Sequence, residues 1–130
     1  SERSIMNEEK MKVVMVEPNK PAYITEIGSD LTSMQKAVGG LIEPIYFLED
    51  ALMVGNEEAK LIGLDGNRRF GNNIVAGPFF ICGEKMTEDG EEFCSLSDDL
   101  CEKYVHHFAE PLEISHDEVQ RDMGFTLIMM

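Results

Sequence analysis

Ile74-Val75-Ala76-Gly77-Pro78-Phe79-Phe80-Ile81-Cys82 is the strongest apolar run in the chain, and its reading decides the fold. An uncharged stretch of this length, bounded by turn-forming residues, reads as a central strand. Gly77-Pro78 is expected to make a bulge inside it, since proline cannot donate to a ladder. If the strand is regular, Phe79 and Phe80 point to opposite faces.

Upstream, the valine-rich Met11–Glu17 reads as a strand that stops at Pro18. Pro18-Asn19-Lys20-Pro21 is a turn, and the alternating Ala22–Ile27 completes an antiparallel hairpin. Asp30 caps a short helix with Leu31, Met34 and Val38 on one face, ended by Gly39-Gly40. Leu41–Leu48 is a strand that Pro44 demotes to an edge or a bulge. Ala51–Val54 and Lys60–Leu64 are expected to pair as a hairpin, Asp65–Asn73 to be turn-like, and Glu84–Glu92 to be a charged loop. Downstream, Ser97 caps a helix whose Leu100, Tyr104 and Phe108 repeat every four residues. Ser115-x-x-Glu118 is a capping-box pattern for a helix ending at Gly124, and Phe125–Met130 closes the chain as an apolar strand or tail. The sum is α+β: one compact domain over 11–130, a mixed and mostly antiparallel sheet of five to seven strands, and two or three short helices. Residues 1–10 are expected to be an N-terminal extension, the first five an expression remnant.

Composition narrows the function classes. A chain of 130 residues, 43% apolar, buries roughly two-thirds of its unfolded surface and supports its own core. No apolar run reaches 18 residues, which excludes a membrane helix. Twenty-five acidic against eleven basic residues leave −14, which argues against direct nucleic-acid binding. Cys82, Cys94 and Cys101 are odd in number and lack C-x-x-C spacing, so free thiols in a reducing cytoplasm are expected.

Several segments resemble one uncharacterised family found mainly in Firmicutes phages, prophages and conjugative elements. They are Lys12-Val13-Val14-Met15-Val16-Glu17-Pro18, Leu31–Gly40, Asn56–Leu61, Gly63–Arg68, Ile74–Gly83 and Phe93–Ser97, in order across about residues 11–108. The family is named only as a domain of unknown function. The resemblance implies a small accessory product of a mobile element in the bacterial cytoplasm, a setting where proteins that blunt host defence are common. It implies no reaction, cofactor or catalytic residue.

Candidate sites follow from charge and chemistry. Residues 84–122 hold thirteen acidic against three basic side chains, and Glu88, Asp89, Glu91, Glu92, Asp98, Asp99 and Glu102 cluster within them. Such a field steers a basic partner, so these seven form a candidate surface that competes with nucleic acid for a host protein; a merely solvated face is the alternative. Asn67, Arg68 and Arg69, with one ring of Phe79 or Phe80, form a second candidate: a clamp for a nucleotide-type signal. The alternative pairs both arginines internally and buries both rings. His106, His107, His116 and Asp117 lack metal-ligand spacing and read as surface residues, and no nucleophile elbow or phosphate loop occurs. The expectation is therefore a non-enzyme with no cofactor and no metal. It binds and inhibits a host factor; a nucleotide-sequestering protein and a regulatory or structural module stand as alternatives, and the apolar C-terminus is compatible with a homodimer.

Overall fold

At Gly77-Pro78 the apolar run breaks in two, and the halves enter different sheets. A computed structural model describes residues 10–70, 73–88 and 90–121. Gly77 has φ +74, a left-handed value that a glycine adopts at little cost, and Pro78 cannot continue a ladder. The chain therefore turns out of β6 (Asn73–Ala76) and starts afresh as β7 (Phe79–Thr87). The expected bulge within one strand is corrected to a corner between two.

The remaining elements are β1 (Lys10–Val16), β2 (Tyr23–Gly28), α1 (Leu31–Val38), β3 (Ile42–Phe47), β4 (Leu52–Asn56), β5 (Gly66–Phe70), β8 (Gly90–Cys94) and α2 (Asp98–His107). A third helix, α3, covers 116–121. The main sheet has six strands in the order β2-β1-β7-β4-β3, with β8 also on β7, and β5 and β6 form a separate two-stranded sheet. Every described pairing is antiparallel, so the mixed component expected from the sequence is not present among the described strands.

Both faces of the main sheet are covered. Val14, Ile81 and Met53 share one rung and one face, where they pack with Phe79, Cys101, Tyr104 and Phe108. Met15, Phe80 and Val54 share the next rung and the other face, against Met34 and Val38 of α1. The sheet is thus the middle of three layers, with α1 on one side and α2 plus the β5–β6 hairpin on the other. At Gly83 the strand β7 exchanges neighbours: β1 pairs with 79–81, whereas β8 pairs with 83–87. The chain leaving β8 stays bonded to β1, because Lys12 N–H donates to Ser95 Oγ (2.9 Å) and Leu96 N–H to the Lys12 carbonyl (2.8 Å). A Cβ on Gly83 would stand 2.7 Å from the Ser95 carbonyl oxygen, so the crossing requires glycine.

Local signals read from the sequence form as expected at several points. Asn19 is left-handed (φ 66), Asp30 accepts from Ser33 N–H, and Gly39 ends α1 at φ 78. β3 is an edge strand, and its register shifts between Pro44 and Tyr46. Ser115 and Glu118 form the reciprocal capping box, at 3.1 and 3.3 Å. Three expectations are corrected. Residues 57–63 wind into turns rather than a strand, started by Asn56 Oδ1 accepting from Glu58 N–H (2.8 Å). The turn-like 65–73 is largely strand β5, and the charged 84–92 is the β7–β8 hairpin. Gly124 and Phe125–Met130 lie outside the described residues.

Phe80 is fully enclosed, whereas Ile24 on the β2 edge is 46% exposed. Phe80→Ala should cost about 3–5 kcal/mol and lower Tm by about 10 °C or more, whereas Ile24→Ala stays within about 1 kcal/mol. Differential scanning calorimetry of the two variants checks this contrast.

Candidate functional site

α2 begins at Ser97, whose hydroxyl accepts from Leu100 N–H (3.3 Å), and carries Asp98 and Asp99 in its first turn, where the helix dipole favours carboxylates. Cys101, Tyr104 and the C-cap residue Phe108 face the sheet, with the Phe108 ring edge-on to Phe79 at 5.4 Å. The outer side therefore presents Asp98, Asp99 and Glu102 to solvent. Glu102 stands one turn, about 6 Å along the axis, beyond Asp98.

Three polar contacts pin this helix. Asp98 accepts from Lys12 Nζ on β1, and the ammonium holds its carboxyl below the usual carboxylate range. Asp50, in the β3–β4 turn, accepts from Tyr104 Oη (2.6 Å) and Lys103 Nζ (2.9 Å). Those donors, Tyr104 first, lower the Asp50 carboxyl in turn. Both ion pairs are exposed, so they orient α2 rather than stabilise it appreciably.

Among the described residues, the predicted acidic side chains lie on two elements, α2 and the β7–β8 hairpin. Asp98, Asp99 and Glu102 share the α2 face, with Asp98 engaged by Lys12. Glu92 is exposed on β8, opposite Lys85 in the ladder. Glu88 sits at the hairpin tip, just beyond the Thr87–Gly90 pair, which is about 13 Å of strand from the Gly83–Cys94 root. Asp89 and the Glu91 side chain lie outside the described residues.

Asn67, Arg68 and Arg69 occupy a strand, not a loop, and their side chains diverge. The register shift between Gly66 and Arg68 turns Asn67 inward. There Nδ2 donates to the carbonyls of Val16 and Gly77, both at 2.9 Å. Arg68 is 2% exposed. Its Nη1 donates to Asn67 Oδ1 (2.8 Å), and its Nη2 to the carbonyls of Lys20 (2.7 Å) and Phe108 (2.9 Å). Nε has no partner among the described residues, and burial lowers the guanidinium pKa. Arg69 points outward to Glu118 on α3. Phe79 and Phe80 are wholly enclosed, so neither ring offers a face to a ligand. This corrects the clamp expectation: Asn67, Arg68 and both rings are committed to the interior.

The histidines stay apart: His106 and His107 are exposed at the end of α2, and His116 lies 3.4 Å from Asp65. Among the described residues no three His, Cys, Asp or Glu side chains converge. All three cysteines are free, and burial pushes the Cys82 thiol up to about 12. No described helix is long and apolar enough to cross a membrane.

The family model for a domain of unknown function, DUF3846, matches residues 11–109, and the chain belongs to that family. The match ends just past the C-cap of α2, so β1 to α2 carry the family pattern. No curated protein and no solved structure matches the chain.

Removing the Asn67 side chain strands two buried carbonyls and one Arg68 donor. Asn67→Ala should cost about 2–4 kcal/mol, read as a lower urea midpoint at unchanged m. Arg69→Ala, at the solvent-facing pair with Glu118, should leave the midpoint almost where it is.

Proposed function

We propose that this chain is a non-enzymatic accessory protein of a phage or mobile element that acts inside the bacterial cell. It docks the acidic face of α2 against a basic surface of a host protein and so blocks nucleic acid from that surface. The observation that carries this reading is the placement of Asp98, Asp99 and Glu102 on one exposed face of a helix tied at its start to Lys12 and at its end to Arg68, in a chain of net charge −14.

The physics supports recognition rather than chemistry. Charge on a fixed frame loses little side-chain or backbone freedom on docking, which favours affinity and on-rate. A host surface shaped for phosphates presents Lys and Arg, which a row of carboxylates complements. The buried cysteine thiols are protonated at neutral pH and poor nucleophiles, in keeping with a binding role. Counter-defence suits such an inhibitor, since restriction and interference enzymes hold nucleic acid in basic grooves.

The experiment is an affinity capture from host lysate with three proteins: wild type, Asp99→Lys/Glu102→Lys, and Glu88→Lys. Wild type and Glu88→Lys should retain the same nucleic-acid-binding protein, which duplex DNA displaces and which elutes as salt rises from about 0.1 to 1 M. The α2 double reversal should lose it while keeping the wild-type Tm. Retention of that partner by the double reversal, or capture indifferent to DNA, contradicts the proposal.

A further inference from the structure

β2, β3, β5 and β8 are each paired with one neighbour among the described strands, and each carries a device that keeps an open edge from pairing with another chain. β2 bears Glu26, β5 bears Arg69 and β8 bears Glu92, while β3 bears Glu43 and Pro44 with a register shift beside them. β6, Asn73-Ile74-Val75-Ala76, is also paired on one side, yet it bears neither charge nor proline. On the side away from β5 it has no backbone partner among the described residues. Bare edges of this kind pair readily with extended chain, so proteins cover them. A two-stranded ribbon is also marginal by itself, and a third strand steadies it.

The open side of β6 faces a groove of about 230 Å³ that every residue of the strand lines and no residue of β5 does. Val75 packs toward the main sheet, and Ile74 and Ala76 toward α3. A groove lined by all three therefore follows the edge of the strand rather than one of its faces. Across it stand Ile45 and Tyr46 of β3, and Tyr46 Oη accepts from Asn73 Nδ2 (2.9 Å) at one end. Toward the other end lie Ala59, in one cluster with Ala76, and Leu61, an apolar side chain left 69% exposed. The charged residues of the lining, Glu43, Glu57 and Lys60, nearly cancel, which suits an uncharged occupant.

α3 packs against this groove: Val119 shares a cluster with Ala59, Ile74 and Ala76, three residues that line it. Phe125 follows the last residue of α3, Arg121, by four positions, within about 14 Å of extended chain. Between them the sequence changes character. Glu113–Asp122 is strongly charged, whereas Phe125-Thr126-Leu127-Ile128-Met129-Met130 has no charge and begins with residues that favour extended backbone. We propose that Phe125–Met130, which lies outside the described residues, adds to the free edge of β6 as a third strand and packs against Ile45, Tyr46 and Leu61. One contact then covers both a bare edge and an apolar segment. Neither groove nor segment includes a residue of the acidic α2 face, so this proposal and the docking function stand or fall separately.

NOE spectroscopy of the full chain tests it. Cross-strand NOEs should join backbone protons of residues 126–129 to those of Asn73–Ala76. In a mixture of isotope-labelled and unlabelled chains, none of these should run between molecules. Leu127→Asp/Ile128→Asp puts a charge on each face of the added strand. It should erase the NOEs and speed amide exchange in β6 at least about tenfold, while β1, β4 and β7 keep wild-type protection. Absence of NOEs from 126–129 to β6, NOEs that run between molecules and so make a second copy the occupant, or β6 exchange unchanged in the double variant overturns the proposal.

Discussion

A buried guanidinium held without a carboxylate organises one side of this protein. Arg68 reaches the Lys20 carbonyl in the β1–β2 turn and the Phe108 carbonyl at the end of α2, and Asn67 beside it holds the end of β1 and the Gly77 corner. Three stretches distant in sequence, 16–20, Gly77 and Phe108, thus meet at two adjacent side chains. The charge is tolerable because its partners are carbonyl dipoles, one of them at a helix C-terminus where partial negative charge accumulates. A cation buried this way is costly to leave unpaired, so the surrounding backbone is committed to that geometry.

From that constraint follows the placement of α2. Its C-terminus is tied to Arg68, its N-terminus to Lys12, and its middle to Asp50 through Tyr104 and Lys103. With Cys101, Tyr104 and Phe108 packed on the sheet, Asp98, Asp99 and Glu102 are left facing water. The acidic face is thus a consequence of how the helix is held. The same sheet presents its other side to α1.

Much of this was legible wherever the signal is local. Asp30, Ser97 and Ser115 announce their helices because a cap satisfies backbone N–H groups within three residues. Pro44 announces an edge strand because its missing donor is a property of the residue itself. The misreadings share the opposite cause. Glu84–Glu92 looks like a loop because the outer half of β7 is exposed, so successive residues on both faces are polar or solvent-facing and no apolar alternation marks the strand. Asn67-Arg68-Arg69 looks like a surface clamp because local composition does not say which way a bulged strand turns. Lys60–Leu64 looks like a strand, but Leu61 and Ile62 stay exposed on a turn, and nothing local records that. The α2 carboxylates were readable, and their separation from Glu88 was not, because it depends on the hairpin's length.

Hydrogen exchange by mass spectrometry on Arg68→Lys tests the organising role of this latch most directly. Lysine keeps the charge but cannot span the Asn67, Lys20 and Phe108 acceptors at once. The account predicts faster exchange in β5–β6 and in the last turn of α2, with β1, β4 and β7 keeping wild-type protection. Unchanged protection throughout, or a uniform loss that includes β7, would contradict it.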